Sequence, residues 1–309
     1  MATDHPAPVR YARHGAIEIA FEDLGGAGGE PLLLVMGLGV SRFWWPYGLV
    51  GELAGRGFHV AAFDQRDAGE STHLPDTGAG SPIAAALRRR PAAYTAEDMT
   101  DDAIAVLDAL GWGSAHLFGH SMGGQLAQRT ALRHPQRVRS ITSSASLPSD
   151  VGGLRAARYV HLGLVARFAR MKFPEGRQGD IDLGLALARA VASPGYPFDE
   201  AAARDMIERD KVSGVRDTGA QSRQISATWH GGRLAQLRVP ALVLHGAADP
   251  LLRVTAGRRT AAAIGGARLV VLPGVGHDLP SAVWPRVAGE VRALADRAAA
   301  LQPAGTGAA

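Results

Sequence analysis

Gly119-His120-Ser121-Met122-Gly123 follows directly on the short apolar run of residues 115–119 and precedes a helical pattern. The arrangement G-x-S-x-G between a strand and a helix is a sharp turn that holds a serine hydroxyl above the edge of a sheet. Its glycines are needed because Cβ atoms there would collide with neighbouring backbone. With 39 glycines in the chain the pentapeptide could arise by chance, so its strand–turn–helix setting is what makes it informative.

Working outward, the same rhythm of strand and helix continues on both sides. Thr95, Ala96, Glu97 and Asp98 read as a capping box, after which Met99, Ala103, Val106, Leu107 and Leu110 share one helical face, with Asp101, Asp102 and Asp108 opposite. Residues 32–35 and 60–63 are short continuous apolar runs stopped by Gly37 and Asp64, the pattern of buried parallel strands, and residues 44–53 can hold the helix between them. Ile17, Ile19 and Phe21 alternate with Glu18 and Ala20, as expected of an antiparallel opening strand. Residues 138–144, 241–245 and 268–272 complete the strands, and a last helix is expected from Pro280 onward.

About 95 residues separate the strands at 138–144 and 241–245, far more than one crossover requires. Leu154, Leu162, Leu164, Phe168, Met171, Leu183, Leu185 and Leu187 give this stretch helical apolar faces. The fold class expected is therefore α/β: a mostly parallel eight-stranded sheet with helices on both faces and an inserted helical cap. Residues 1–147 and 237–301 form the core, 148–236 the cap and 302–309 a disordered tail.

Such a sheet places its reactive loops at the C-terminal ends of the strands. A serine hydroxyl needs a base, and His277, in the loop after the last strand, opens at the same edge as Ser121. His14, His59, His116, His161 and His230 lack such a position; His120 lies on the wrong side of the turn, and His245 can pack nearby without taking the proton. Asp249, in the loop after residues 241–245, is the acid that would orient the imidazole, ahead of Asp150 and Asp278. The order Ser, Asp, His suits this fold. The backbone N–H groups of Met122 and Leu38, the latter in Met36-Gly37-Leu38-Gly39, are candidates for an oxyanion hole. Trp44 and Trp45 beside that loop, and Leu162, Phe168 and Met171 in the insertion, are candidate pocket residues.

Composition narrows the remaining classes. The 309 residues are 46% hydrophobic and 20% charged, as in globular proteins, and 33 basic against 29 acidic residues leave a formal charge of +4. Arg88, Arg89 and Arg90 are the densest basic run but have no aromatic series beside them, so no nucleic-acid partner is expected. No cysteine is present, which excludes disulfides, thiolate metal sites and cysteine nucleophiles. No His and carboxylate cluster has metal-ligand spacing, and no metal or other cofactor is expected. Residues 1–8 lack an apolar run and nowhere do 18 apolar residues follow one another, which points to a cytoplasmic protein with no membrane partner.

Taken together, Trp45-Pro46, residues 63–69 (Phe-Asp-Gln-Arg-Asp-Ala-Gly), the turn at 119–124, Tyr196-Pro197-Phe198-Asp199 and residues 272–280 (Leu-Pro-Gly-Val-Gly-His-Asp-Leu-Pro) resemble the α/β-hydrolases related to aclacinomycin methylesterase. The resemblance spans nearly the whole chain, and it implies a cofactor-free carboxylic-ester hydrolase. Many members of this fold carry His where Met36 stands; a backbone donor survives that change. Asp64, Arg66 and Asp67 are expected to brace the active-site base through buried ion pairs. The expected function is serine-dependent cleavage of the ester of a bulky apolar small molecule. A thioesterase or perhydrolase would use the same triad, and a non-catalytic hydrolase-fold binding protein is the alternative from another class. The oligomeric state is left open.

Overall fold

The structure, a computed structural model, describes residues 9–75, 93–210 and 216–301. Arg88–Arg90 and the tail at 302–309 lie outside the described residues. Eight strands form one sheet in the order β1-β2-β4-β3-β5-β6-β7-β8. β1 (Arg10–His14), β2 (Ile17–Gly25) and β4 (Phe58–Phe63) meet as antiparallel neighbours. β3 (Glu30–Val35), β5 (Ala115–His120), β6 (Val138–Ser144), β7 (Ala241–Gly246) and β8 (Arg268–Leu272) continue from β4 as a parallel sheet.

The central strands are apolar on both faces because helices cover both. Leu33, Val35, Ala61, Phe63 and Leu117 pack against α2 (Ala96–Ala109) and α3 (Met122–Arg133). Leu32, Leu34, Val60, Ala62 and Phe118, one residue out of phase, pack against α1 (Tyr47–Ala54) and α10 (Trp284–Leu301). Alternate side chains of one strand thus enter two separate cores. α9 (Val254–Ala263) links β7 to β8.

Three local expectations are revised. β1 was not singled out from the sequence, since of its five residues only Ala12 is buried and no apolar alternation marks it. The helix expected over 44–53 is divided: Arg42–Trp44 form a 3-10 turn, and α1 starts only after Pro46. Proline disfavours helical backbone in the residue before it, and Trp45 is extended (φ −76°, ψ 120°). Asp102, assigned to the polar face of α2, is buried. Both its oxygens accept hydrogen bonds from Arg66, at 2.6 Å each, and this fork neutralises a charge that could not otherwise sit there. The capping box at Thr95 is present, with Asp98 as its partner.

Between β6 and β7 lie α4 (Leu154–Ala157), α5 (Leu162–Phe168), α6 (Arg177–Val191), α7 (Glu200–Arg209) and α8 (Thr218–Ser226). Ile181 and Leu185 of α6 pack on Ala203 and Ile207 of α7 as a small apolar cluster of their own, which Trp44 joins to the core side. No helix of the described residues is long and apolar enough to cross a membrane.

Candidate active site

Ser121 sits between β5 and α3 with φ +55° and ψ −124°, a conformation that costs a non-glycine residue energy and persists only where its surroundings enforce it. The enforcement is visible. Ser121 N donates to Ser144 O on the adjacent strand at 2.9 Å, and Gly124 N donates to Ser121 O at 3.0 Å. A Cβ on Gly119 would lie 2.1 Å from Gly123 O, and one on Gly123 would lie 2.0 Å from Val35 O. The turn can close this tightly only with glycine at both positions.

His277 Nε2 lies 3.0 Å from Ser121 Oγ, and its Nδ1 lies 2.8 Å from Asp249 Oδ2. The structure therefore brings together three residues that are 28 to 156 positions apart in the chain. The other Asp249 oxygen accepts from Leu251 N and Leu252 N, both at 2.8 Å. Burial opposes its charge, but the His277 ring and these N–H donors outweigh burial and hold the Asp249 carboxyl below its ordinary range. It is a carboxylate throughout the neutral range.

Two further histidines flank this row. His120 stacks at a tilt on His277, with ring centroids 5.2 Å apart, and its Nδ1 lies 3.2 Å from Ser144 Oγ. Burial, reinforced by the neighbouring His277, pushes its pKa down to about 3, so its ring is neutral. His245 points Nε2 at Leu252 O, 3.1 Å away, and stands 3.6 Å from Asp249 Oδ2; burial lowers its pKa also. Neither touches Ser121 Oγ. Asp150 lies away from His277 and meets Leu234 N and Arg259, while the Asp278 carboxylate is engaged by Ser193 Oγ.

The loop after β3 passes directly over the serine: a Cβ on Gly37 would lie 3.0 Å from Ser121 Cβ. Leu38 follows in this loop and Met122 opens α3 on the other side of Ser121. Neither backbone N–H donates to another described residue. The loop is held by Gln65, whose Nε2 donates to Met36 O at 2.5 Å, and by Gln224, whose Oε1 accepts from Gly39 N at 3.0 Å.

The candidate pocket residues have different settings. Trp45 is only 2% exposed and packs edge-on against Phe118 in the α1–α10 core. Its ring also stands edge-on to His120, 6.3 Å between centroids. Trp44 spans the core and the α6–α7 cluster, and its Nε1 donates to Asp210 Oδ2 at 3.1 Å. Leu162 is 60% exposed on α5, while Phe168 and Met171 are half-buried.

The acidic loop after β4 also differs from expectation. Its ion pairs are buried, but none runs to His277. Asp64 meets Arg42, Arg66 meets Asp102, and Asp67 meets Arg223 of α8. They brace the neighbouring loops and α8 rather than the base. The base loop is held by a contact that the sequence did not suggest: His277 N donates to Val191 O at 2.9 Å and Gly276 N to Ser193 Oγ at 2.8 Å, both at the C-terminal end of α6.

This chain belongs to the α/β hydrolase fold family, whose sequence profile matches residues 30–280. Among curated relatives it is 28% identical over 305 residues to a rhodomycin D methylesterase from Streptomyces sp. (strain C5), covering 92% of this chain and 97% of that one. To a rhodomycin D methylesterase from Streptomyces peucetius it is 27% identical, with the same coverage. These matches bear out the resemblance read from the sequence. Among solved structures, an esterase from a Rhodococcus species superposes with a TM-score of 0.69 at 22% identity, over 93% of this chain and 98% of that one. A hydrolase from Pseudomonas aeruginosa gives 0.67 at 24% identity, over 93% and 97%. At such identity the structures share the fold.

Proposed function

We propose that this protein is a serine esterase that cleaves a carboxylic ester of a bulky, apolar small molecule through an acyl-enzyme. The observation that carries the reading is the continuous row from Ser121 Oγ to His277 to Asp249, at 3.0 and 2.8 Å, on a serine held in left-handed backbone. Its similarity to two proteins named as methylesterases supports an ester, and a methyl ester in particular, as the bond cleaved.

In the first half-reaction Ser121 Oγ forms a bond to the ester carbonyl carbon as His277 Nε2 takes its proton. Asp249 accepts the Nδ1–H hydrogen bond and stabilises the resulting imidazolium. Leu38 N–H and Met122 N–H, which no other described residue occupies, receive the oxyanion. Collapse returns the proton from His277 to the departing alcohol and leaves an acyl-serine. Water, deprotonated by His277, then releases the acid and restores Ser121. Residues 1–147 and 237–301 supply this machinery; residues 148–236 act as a cap that sets the size of ester admitted.

The test is labelling with a fluorophosphonate followed by a panel of p-nitrophenyl esters, aryl methyl esters, thioesters and amides. Wild type should gain one phosphonyl adduct and hydrolyse esters; Ser121→Ala should gain none and lose turnover by several orders of magnitude at an unchanged melting temperature. An unlabelled, inert wild type would leave the binding-protein reading in its place, and a preference for thioesters would change the substrate class.

A further inference from the structure

We infer that Gln224, on a helix of the 148–236 insertion, is a positioning residue for the oxyanion loop, so that α8 is part of the catalytic framework and not only a cover over it. The inference rests on the esterase reading above and deepens it.

The loop Met36–Gly39 leaves β3 and must present Leu38 N–H toward Ser121, yet its own backbone offers little to hold it. Two side-chain hydrogen bonds from outside do so. Gln65 Nε2 donates to Met36 O at one end of the loop, and Gln224 Oε1 accepts from Gly39 N, 3.0 Å away, at the other. The remaining half of the Gln224 amide is also used, its Nε2 donating to Arg66 O at 2.8 Å. One buried amide thus clamps the loop after β3 to the loop after β4, in a geometry where both its acceptor and its donor are satisfied. Gly39 has φ +65°, and a Cβ there would lie 2.6 Å from Gln221 Cγ, so α8 is packed directly on the loop. The helix itself cannot drift, because Arg223, the residue before Gln224, forks onto Asp67 through two 2.8 Å bonds that are buried on both sides.

Leu38 is flanked by Gly37 and Gly39, two residues that restrict backbone least. Its N–H direction is therefore set by whatever holds the residues on either side. Oxyanion donors act only if they are preorganised at the place where charge develops, and small displacements are expensive in rate. Loss of the Gly39 anchor should consequently slow the chemical step more than it weakens substrate binding.

The experiment compares wild type with Gln224→Met, which keeps side-chain length but accepts only weakly from Gly39 N and donates nothing to Arg66 O. Hydrolysis of p-nitrophenyl butyrate is measured, together with inhibition by an aryl trifluoromethyl ketone, which forms a tetrahedral adduct on the serine. Gln224→Met should lower kcat by about 10- to 100-fold with KM changed less than about threefold, and weaken the ketone by the same factor as kcat. If Gln224→Met is not obtained folded, Gln224→Asn, whose amide falls one methylene short of Gly39, should show the same split between kcat and KM. Wild-type kcat in Gln224→Met or Gln224→Asn, or a loss confined to KM, would overturn the inference while leaving the esterase reading intact. A wild type that neither turns over esters nor takes up fluorophosphonate removes both.

Discussion

Arg223 of α8 and Asp67 of the loop after β4 form a two-pronged ion pair, Nε to Oδ2 and Nη2 to Oδ1 at 2.8 Å each, with both side chains withdrawn from water. The pair joins residues 156 positions apart and fastens the inserted helices to the sheet next to the loop that flanks Ser121. Asp67 is itself held with φ +63° and accepts Leu74 N at 2.8 Å, so its carboxylate cannot turn away to another partner. Removing the guanidinium leaves a buried charge without compensation, a loss of about 3–5 kcal/mol. Arg223→Met should therefore lower the unfolding free energy measured in urea by that amount, and a change under about 0.5 kcal/mol would show that the pair is not needed to hold α8.

Asp249 gives a prediction about rate. Its carboxylate sits below its ordinary range despite burial, because the His277 ring and two N–H donors favour the charge. Asp249→Asn keeps the size but presents His277 Nδ1 with a partner that no longer stabilises an imidazolium. A fall in kcat of about 10³–10⁴-fold is expected in stopped-flow or burst assays. Retention of wild-type kcat would mean that His245, 3.6 Å from Asp249, or another group orients the base. The depressed pKa also means that Asp249 contributes stability above the unfolded carboxyl pKa and that this is lost as pH falls through its lower folded value.

Asp210 carries the opposite shift and the opposite sign. Burial raises its pKa to about 6 against the hydrogen bond from Trp44, with Asp64 pushing the same way as burial and Arg177 opposing both. The folded protein binds this proton more tightly than the unfolded chain does. The stability contributed is present below about pH 4 and is lost as pH rises through 6. Asp210→Asn retains an acceptor for Trp44 Nε1 without the charge, so it should stabilise the fold by up to roughly 3 kcal/mol at pH 8 and by little at pH 4. Melting curves at the two pH values decide this; an equal effect at both would show that the charge on Asp210 does not matter.

Leu162 distinguishes packing from substrate contact in the insertion. At 60% exposure it contributes little to the fold, and Leu162→Ala should leave the melting temperature within the range of a surface change, about 0.5 kcal/mol. If the insertion closes on a bulky ester, the same variant should lose about 1 kcal/mol in kcat/KM for an aryl ester and nothing for an acetate ester. Equal kcat/KM for both esters in the variant and wild type would take Leu162 out of the substrate pocket.

The parallel strands, the turn at Ser121 and the capped helix after Thr95 were legible in the sequence. Each is dictated by local rules: runs of apolar residues, a G-x-S-x-G turn that tolerates no Cβ, and a side chain that caps its own helix. The Ser, Asp, His order likewise follows from which loops open at one sheet edge. β1 was not legible, because an exposed edge strand needs no apolar pattern and takes its conformation from pairing with β2.

The ion-pair partners of Arg42, Arg66 and Asp67, the seat of His277 on Val191 and Ser193, and the reach of Gln224 to Gly39 were decided only by tertiary structure. The reason is physical. A polar side chain buried far from its partner in sequence has no local signature, and Asp102 could be read as a solvent-facing helix residue until Arg66 was found beside it. The sequence determined where the sheet and its reactive turn would form, since those depend on periodicity and backbone sterics within a few residues. Tertiary structure alone decided what holds the reactive loops, since a buried charge or amide is admitted only where distant chain supplies its hydrogen-bond partner.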